Sequence, residues 1–296
     1  MATASAPQKA GAPDGFAGWL RARTCEVVEP GGHWQVRVMG MLRPAIGMGL
    51  GPWQVGSMKG SAVLITGASR GIGLALVGEL ARRGWRVMAG VRDPAGAHGL
   101  YAAAQSAAPG SIEIVPLDVC SDQSVRSAAE EAASQLRAID VLVNNAGVFP
   151  EEGNETLEEL PLERFAEAFA VNVVGVARVT RAFLPLLVRA PHPRVVNISS
   201  RAGSISQKED SRHYCYSASK AALNMLTRAM AAELRPRCVT VVAVTPGWVR
   251  TEMGGPQAPL TVAESAVSLA ATIDRVTPGD AGRFLDRDGN RETTAW

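Results

Sequence analysis

Tyr216 and Lys220 stand four residues apart in Tyr216-Ser217-Ala218-Ser219-Lys220, the spacing that puts two side chains on one face of a helix. A phenol at its reference pKa of about 10 is a poor acid or base at neutral pH. An ammonium beside it favours the phenolate, so the pair can make a tyrosine useful in proton transfer. On an exposed helix the same spacing is ordinary surface. Tyr214 is a rival phenol, but the residue four positions on is Ala218.

Other polar residues interrupt apolar runs. Val195-Val196-Asn197-Ile198-Ser199-Ser200 ends in two hydroxyls. A serine at the carboxyl end of a strand can hydrogen-bond a substrate carbonyl oxygen or satisfy a loop amide, and Ser199 and Ser200 are both placed to do so. Asn172, in Phe169-Ala170-Val171-Asn172-Val173, must find partners if buried. Its amide can bridge backbone and water toward Lys220, or serve as a core asparagine.

Thr66-Gly67-Ala68-Ser69-Arg70-Gly71-Ile72-Gly73 joins an apolar strand to an amphipathic helix. Glycines allow a sharp turn and close approach of a pyrophosphate, and the helix start offers free N–H groups. The spacing is Gly-x-x-x-Gly-x-Gly rather than Gly-x-Gly-x-x-Gly. The loop therefore predicts a bound dinucleotide over Gly67, Ser69, Arg70, Gly71, Ile72 and Gly73. An acidic group at the end of the second strand would select NAD(H) through the ribose hydroxyl. Here Arg92 comes first and Arg70 sits in the loop, so two guanidinium groups can clamp a 2′-phosphate. That favours NADP(H), with Asp93 keeping NAD(H) open.

Three further turns complete the nucleotide surface. Asp118-Val119 can accept from an adenine amino group or belong to the cap of the next helix, since Ser121 and Asp122 follow. Asn144-Asn145-Ala146-Gly147 leaves room for the adenosine ribose, and its amides can stitch neighbouring strands. Thr245-Pro246-Gly247-Trp248-Val249-Arg250-Thr251 lets the chain pass over a nicotinamide, with Pro246, Gly247 and Val249 at the turn and Thr251 meeting the carboxamide. The Gly- and Pro-rich stretch Glu252–Leu260 that follows suits a substrate lid.

These turns need a scaffold. Strands are predicted at Ala62–Thr66, Trp85–Val91, Ile112–Leu117, Val141–Asn144, Arg194–Ser199, Val239–Thr245 and Arg283–Leu285. Helices are predicted near Gly71–Arg83, Ser121–Leu136, Leu162–Leu187, Tyr216–Leu234 and Val262–Val276. Near-continuous apolar strands alternating with helices give an α/β, doubly wound parallel sheet. Residues 58–296 form this single nucleotide-binding domain. Residues 1–57, rich in Gly and Pro, read as a poorly ordered extension, a targeting segment or an upstream extension of the gene with Met58 as the start. Only Trp34–Val38 there shows a period.

The chain of 296 residues is 47% hydrophobic and 20% charged, with 30 basic and 28 acidic residues. That composition is globular, and the main body has no charge excess to attract nucleic acid. No stretch of about 18 uncharged apolar residues predicts a membrane span; Val171–Val188 is broken by Arg178 and Arg181. Cys25, Cys120, Cys215 and Cys238 lack metal-type spacing, which argues against zinc and disulfide scaffolds alike and for a reducing, cytoplasmic setting. Import into an organelle through residues 1–57 is the alternative.

Together these motifs resemble the short-chain dehydrogenase/reductase family in its compact form, over about residues 59–296. The runs Ser200–Ile205, Tyr216–Met225, Pro246–Gly255 and Gly282–Asp286, with Trp296, are similar to the C-factor and sniffer-like carbonyl reductase branch. The resemblance implies a Rossmann-type sheet of seven strands in the order 3-2-1-4-5-6-7 and NAD(P)-dependent chemistry on a carbonyl or secondary alcohol. It implies that Tyr216 exchanges the proton, Lys220 lowers its pKa and holds the nicotinamide ribose, Ser200 orients the substrate oxygen and Asn172 holds a relay water. It also implies a homodimer or homotetramer paired through Leu162–Leu187 and Tyr216–Leu234, although some reductases of the family are monomers. The gap from Ser200 to Tyr216 is longer than usual, which marks a polar insertion at Gln207–Arg212. A cofactor-binding regulator of C-factor type, with little turnover, is the rival reading.

Overall fold

The computed structural model describes residues 60–151, 155–291 and Trp296, together with the backbone of two short N-terminal strands. Those strands, Thr24–Val28 and Gln35–Met39, pair antiparallel, which extends the period noted at Trp34–Val38. The rest of the reading of residues 1–57 lies outside the described residues.

Seven parallel strands form the main sheet: β1 (Ala62–Thr66), β2 (Arg86–Val91), β3 (Ile112–Pro116), β4 (Val141–Asn144), β5 (Arg194–Ile198), β6 (Thr240–Val244) and β7 (Phe284–Leu285). Their order is β3-β2-β1-β4-β5-β6-β7. The chain reverses direction across the sheet between β1 and β4, and a crevice opens there at the strands' carboxyl ends. Every residue of β1, β4, β5 and β6 is buried. Period-two alternation explains the continuous apolar runs: Leu64, Leu142 and Val195 face one layer of helices while Val63, Ile65, Val143 and Val196 face the other.

One layer holds α1 (Gly71–Arg82), α2 (His98–Ser106) and α7 (Val262–Arg275), packed through Leu76, Leu80, Leu100, Leu269 and Ile273. The other holds α3 (Asp122–Gln135), α5 (Val176–Leu187) and α6 (Tyr214–Leu234), packed through Val125, Phe183, Leu187 and Leu223. Ser121 caps α3 by accepting from the Ser124 N–H at 3.2 Å, and Thr261 and Glu264 form a capping box on α7.

Three departures from expectation have physical causes. Helix α2 escaped notice because Leu100 is its only buried residue and Gly99 lies inside it, so it carries no apolar period. The span predicted as one helix from Leu162 is instead α4 (Glu163–Phe169), a π-helical segment (Ala170–Gly175) and α5. One extra residue per turn at that segment re-aims Asn172. Helix α6 begins at Tyr214, one half-turn early.

Glu163–Leu187 is 25 residues long and apolar enough to cross a membrane by length and composition alone. Here Val179, Phe183 and Leu187 are fully buried in the core, and Arg178 bonds Asp122 and the Val119 carbonyl. Among the described cysteines, Cys120 and Cys215 are free, whereas Cys238 is disulfide-bonded.

Candidate active site

The glycine loop leaves β1 and enters α1 without a side-chain cap from Arg70 and without an acidic residue in the first turn. The N–H donors and positive end of a 12-residue helix are thus left for an anion. Close packing makes the turn possible: a Cβ at Gly73 would stand 2.3 Å from the Gly67 carbonyl oxygen. Asn145 secures the same turn from β4, its Nδ2 donating to the carbonyls of Thr66 and Gly67 at 2.9 and 3.0 Å. The Asn145 and Ala146 N–H groups in turn donate to Thr66 Oγ1. The cradle fits the pyrophosphate of a dinucleotide.

Other positions expected at the nucleotide hold mixed roles. Arg92 is exposed at the end of β2. Asp93 accepts from the Ala95 N–H at 3.0 Å, which commits one of its oxygens to its own turn. Arg70 is exposed and ion-paired with Glu252 at 2.5 Å. Asp118 accepts from the Cys120 N–H, and its own N–H donates to Ser124 Oγ, so it belongs at least to the helix-entry turn. Asn144 does stitch strands: its Nδ2 donates to Asn197 Oδ1 at 2.9 Å and to Thr180 Oγ1 at 3.2 Å. Gly147 adjoins Asn172 and Lys220. Thr251 packs beside Gly71 and accepts from the Gly254 N–H.

A cavity of about 840 Å³ runs from Ile72 on the glycine loop past Gly247 and Thr251 to Ser200 and Tyr216. The Ser200 side chain acts on the Tyr216 phenol and lowers its pKa, and both residues line the cavity. Ser199, by contrast, is buried and donates to Asn224 Oδ1 at 2.6 Å. The structure thus separates the two serines: Ser200 meets the phenol and Ser199 anchors the strand end. Ser200 also accepts from the Ala202 N–H at 3.1 Å, fixing the turn at Arg201–Gly203. A Cβ at Gly203 would lie 2.6 Å from the Lys220 carbonyl carbon, so only glycine lets this turn lie against α6.

Lys220 is buried and donates from Nζ to the Ile198 carbonyl at 2.9 Å. Its Nζ lies 5.6 Å from the Tyr216 ring centroid. Burial lowers the Lys220 pKa to about 8. Burial also raises that of Tyr216, with the Ser200 hydrogen bond opposing and the Glu151 carboxylate adding to the rise. Desolvation is the largest influence on the phenol.

Asn172 is fully buried, and its amide is spent on structure. Oδ1 accepts from the Val148 N–H at 2.9 Å, and Nδ2 donates to the Val148 carbonyl at 3.0 Å and to Ser219 Oγ at 2.9 Å. Ser219 in turn donates to the Tyr216 carbonyl at 2.8 Å. Asn172 thus clamps the loop after β4 to the first turns of α6.

Sequence reasoning missed Ser219, Asn224, Phe149 and Glu151. The ring of Phe149 packs on Tyr216 and His213 with centroids 5.1 and 4.9 Å apart. No local pattern marks these residues, because each acts on a partner distant in the chain. The insertion Gln207–Arg212 is held by Lys208, which bonds Asp210 and the Arg212 carbonyl.

Residues 61–259 match the family model described as short chain dehydrogenase. C-signal of Myxococcus xanthus is 41% identical over 152 residues, 51% of this chain and 90% of that protein. The NADPH-bound carbonyl reductase from chicken fatty liver superposes with a TM-score of 0.74 at 34% identity, covering 80% of this chain and all of that one. The carbonyl reductase Sniffer of D. melanogaster does so with a TM-score of 0.75 at 29% identity and the same coverage.

Proposed function

The chain belongs to the short-chain dehydrogenase family and is an oxidoreductase of that family; on that footing we propose that it is an NADP(H)-dependent reductase interconverting a small carbonyl compound and its secondary alcohol. The observation that carries this reading is the placement of Tyr216 and Ser200 together on a cavity that also reaches the glycine loop. A bound nicotinamide cofactor supplies the hydride.

The chain's own residues do the rest. Ser200 donates a hydrogen bond to the substrate oxygen. Tyr216 gives its phenolic proton to that oxygen as the alcohol forms, and takes it back in the reverse direction. Lys220, held under the ring by Ile198, supplies positive charge beside the phenolate that remains. The loop over Gly67–Gly73 would hold the pyrophosphate, and Asn145 keeps that loop in place. Phe149 and Trp248 line the cavity.

Arg70 and Arg92 support NADP(H). The neighbouring carbonyl reductase from chicken is NADPH-bound, and Asp93 has an oxygen committed to its own turn. Likeness to C-signal supports a second reading, a cofactor-binding regulator with little turnover.

A panel of aldehydes, ketones and quinones, followed by NADPH and NADH absorbance, separates the readings. Reduction with NADPH preferred is expected. Tyr216→Phe should lose about 10²–10⁴-fold in kcat while still binding NADPH. No oxidation of either cofactor across the panel would favour the regulator, and equal use of NADH would remove the phosphate role of Arg70 and Arg92.

A further inference from the structure

Glu151 sits in the loop after β4, two residues beyond Phe149, and is 7% exposed. Its Oε1 accepts the backbone N–H of Tyr216 at 3.0 Å, across 65 positions of chain. Tyr216 is the third residue of α6, and an α-helix leaves its first N–H groups without intrahelical partners. The residue before the helix ordinarily accepts one of them. His213 cannot, because it is left-handed (φ 60°) and supplies no side-chain cap. A carboxylate from another element has taken over that task at the candidate catalytic residue.

The second oxygen, Oε2, is buried with no hydrogen-bond partner. An under-satisfied buried carboxylate costs stability, and a neutral acceptor would cap the helix without that cost. Charge is what the glutamate adds. Its charge acts on His213 before α6 and on Cys215 and Tyr216 on α6; Lys208, Asp210 and Arg212 also act on His213, and Arg164 of α4, ion-paired with Glu155, also acts on Cys215. Lys208 is paired with Asp210. The thiol of Cys215 shows the local field: burial, then the Glu151 charge and a side-chain hydrogen bond with the Glu151 carboxylate, push it up to about 11.

Building on the reductase reading, we propose that Glu151 is a positioning residue for the Tyr216 phenol, capping α6 at Tyr216 itself while its desolvated negative charge favours the neutral, proton-donating phenol. Lys220 and Glu151 then bracket the phenol with opposite charges. Lys220 stabilises the phenolate once the proton has left, and Glu151 keeps the phenol protonated to higher pH. The site is biased toward carbonyl reduction over alcohol oxidation.

The test uses the full chain labelled with carbon-13 at the tyrosine ring. It has three tyrosines, Tyr101, Tyr214 and Tyr216, and Tyr216→Phe assigns the resonance of interest. Glu151→Gln keeps an oxygen to cap the helix and removes the charge. It should lower the Tyr216 titration midpoint by about half a unit or more and leave Tyr101 unmoved. The alkaline limb of the kcat profile for carbonyl reduction should move down by the same amount. Glu151→Ala, which also removes the cap, should lose more kcat than Glu151→Gln. Should the glutamine variant not fold, Glu151→Asp, which withdraws the charge by one methylene, should move the midpoint in the same direction. A Tyr216 midpoint that stays put or rises overturns the proposal. The titration needs no turnover, so a chain inactive on every carbonyl would sink the reductase reading and leave the charge effect separately decided.

Discussion

The two helical layers flanking the sheet are built differently. Against α1, α2 and α7 the core is apolar, and its buried hydroxyls bond backbone carbonyls: Ser265 to Pro246, Thr272 to Arg287. Against α5 and α6, buried side chains bond one another. Thr180, Asn144, Asn197 and Thr227 form one chain; Ser199 and Asn224 form a pair; Asn172 and Ser219 form another. Apolar packing is non-directional and tolerates small displacements. A buried polar network has few good geometries, and this one leaves Asn144 Oδ1 without a hydrogen-bond partner. The layer that carries Tyr216 and Lys220 therefore uses the more demanding construction, and the opposite layer supplies bulk stability.

Lys220→Met probes that contrast hardest. Turnover should fall by at least about 10²-fold, while the thermal midpoint at pH 7 should rise. The sign follows from linkage: the folded-state pKa of about 8 lies below the reference 10.5, so between those values the unfolded chain binds more protons and stability rises with pH. Below pH 8 the wild type bears the full cost of the buried ammonium. The difference between variant and wild type should shrink as pH rises from 8 to 10.5. A variant less stable than wild type at pH 7 would show that the Ile198 hydrogen bond outweighs desolvation.

On the apolar side, Leu80→Ala should cost about 2–5 kcal/mol, since Leu80 is wholly buried. Its kcat per folded molecule should hardly change. Denaturant unfolding and active-site titration check both parts. A large loss of kcat at unchanged folded fraction would break the division between layers.

Asn224→Ala gives the smallest expected loss of stability, about 1–3 kcal/mol, because Ser199 and the Gly203 carbonyl are left unpaired. Unlike Leu80→Ala it should reduce kcat several-fold, through the turn that carries Ser200. Equal effects on kcat from the two variants would remove the distinction.

Strand positions, the glycine loop and the Tyr216–Lys220 pair were legible in the sequence. Apolar runs bounded by turns report local burial, and a helical spacing of four needs no knowledge of the remaining fold. The strand ends shifted by a residue or two. Ser199 and Ser200 stayed indistinguishable until Asn224, 25 residues on, was seen to claim one of them. Asn172 was noticed as a polar residue in an apolar helix, but its partners are the Val148 backbone and Ser219, and a π-helical segment aims it.

The order of apolar and polar residues along the chain was enough to determine a parallel sheet, a nucleotide cradle and a candidate proton donor, because each depends on neighbours within a few residues. Tertiary structure alone decided which serine lies beside the phenol, which carboxylate caps its helix, and how far burial acts on the phenol. Those outcomes depend on desolvation and on hydrogen bonds between residues distant in the chain, and neither is encoded in any local spacing.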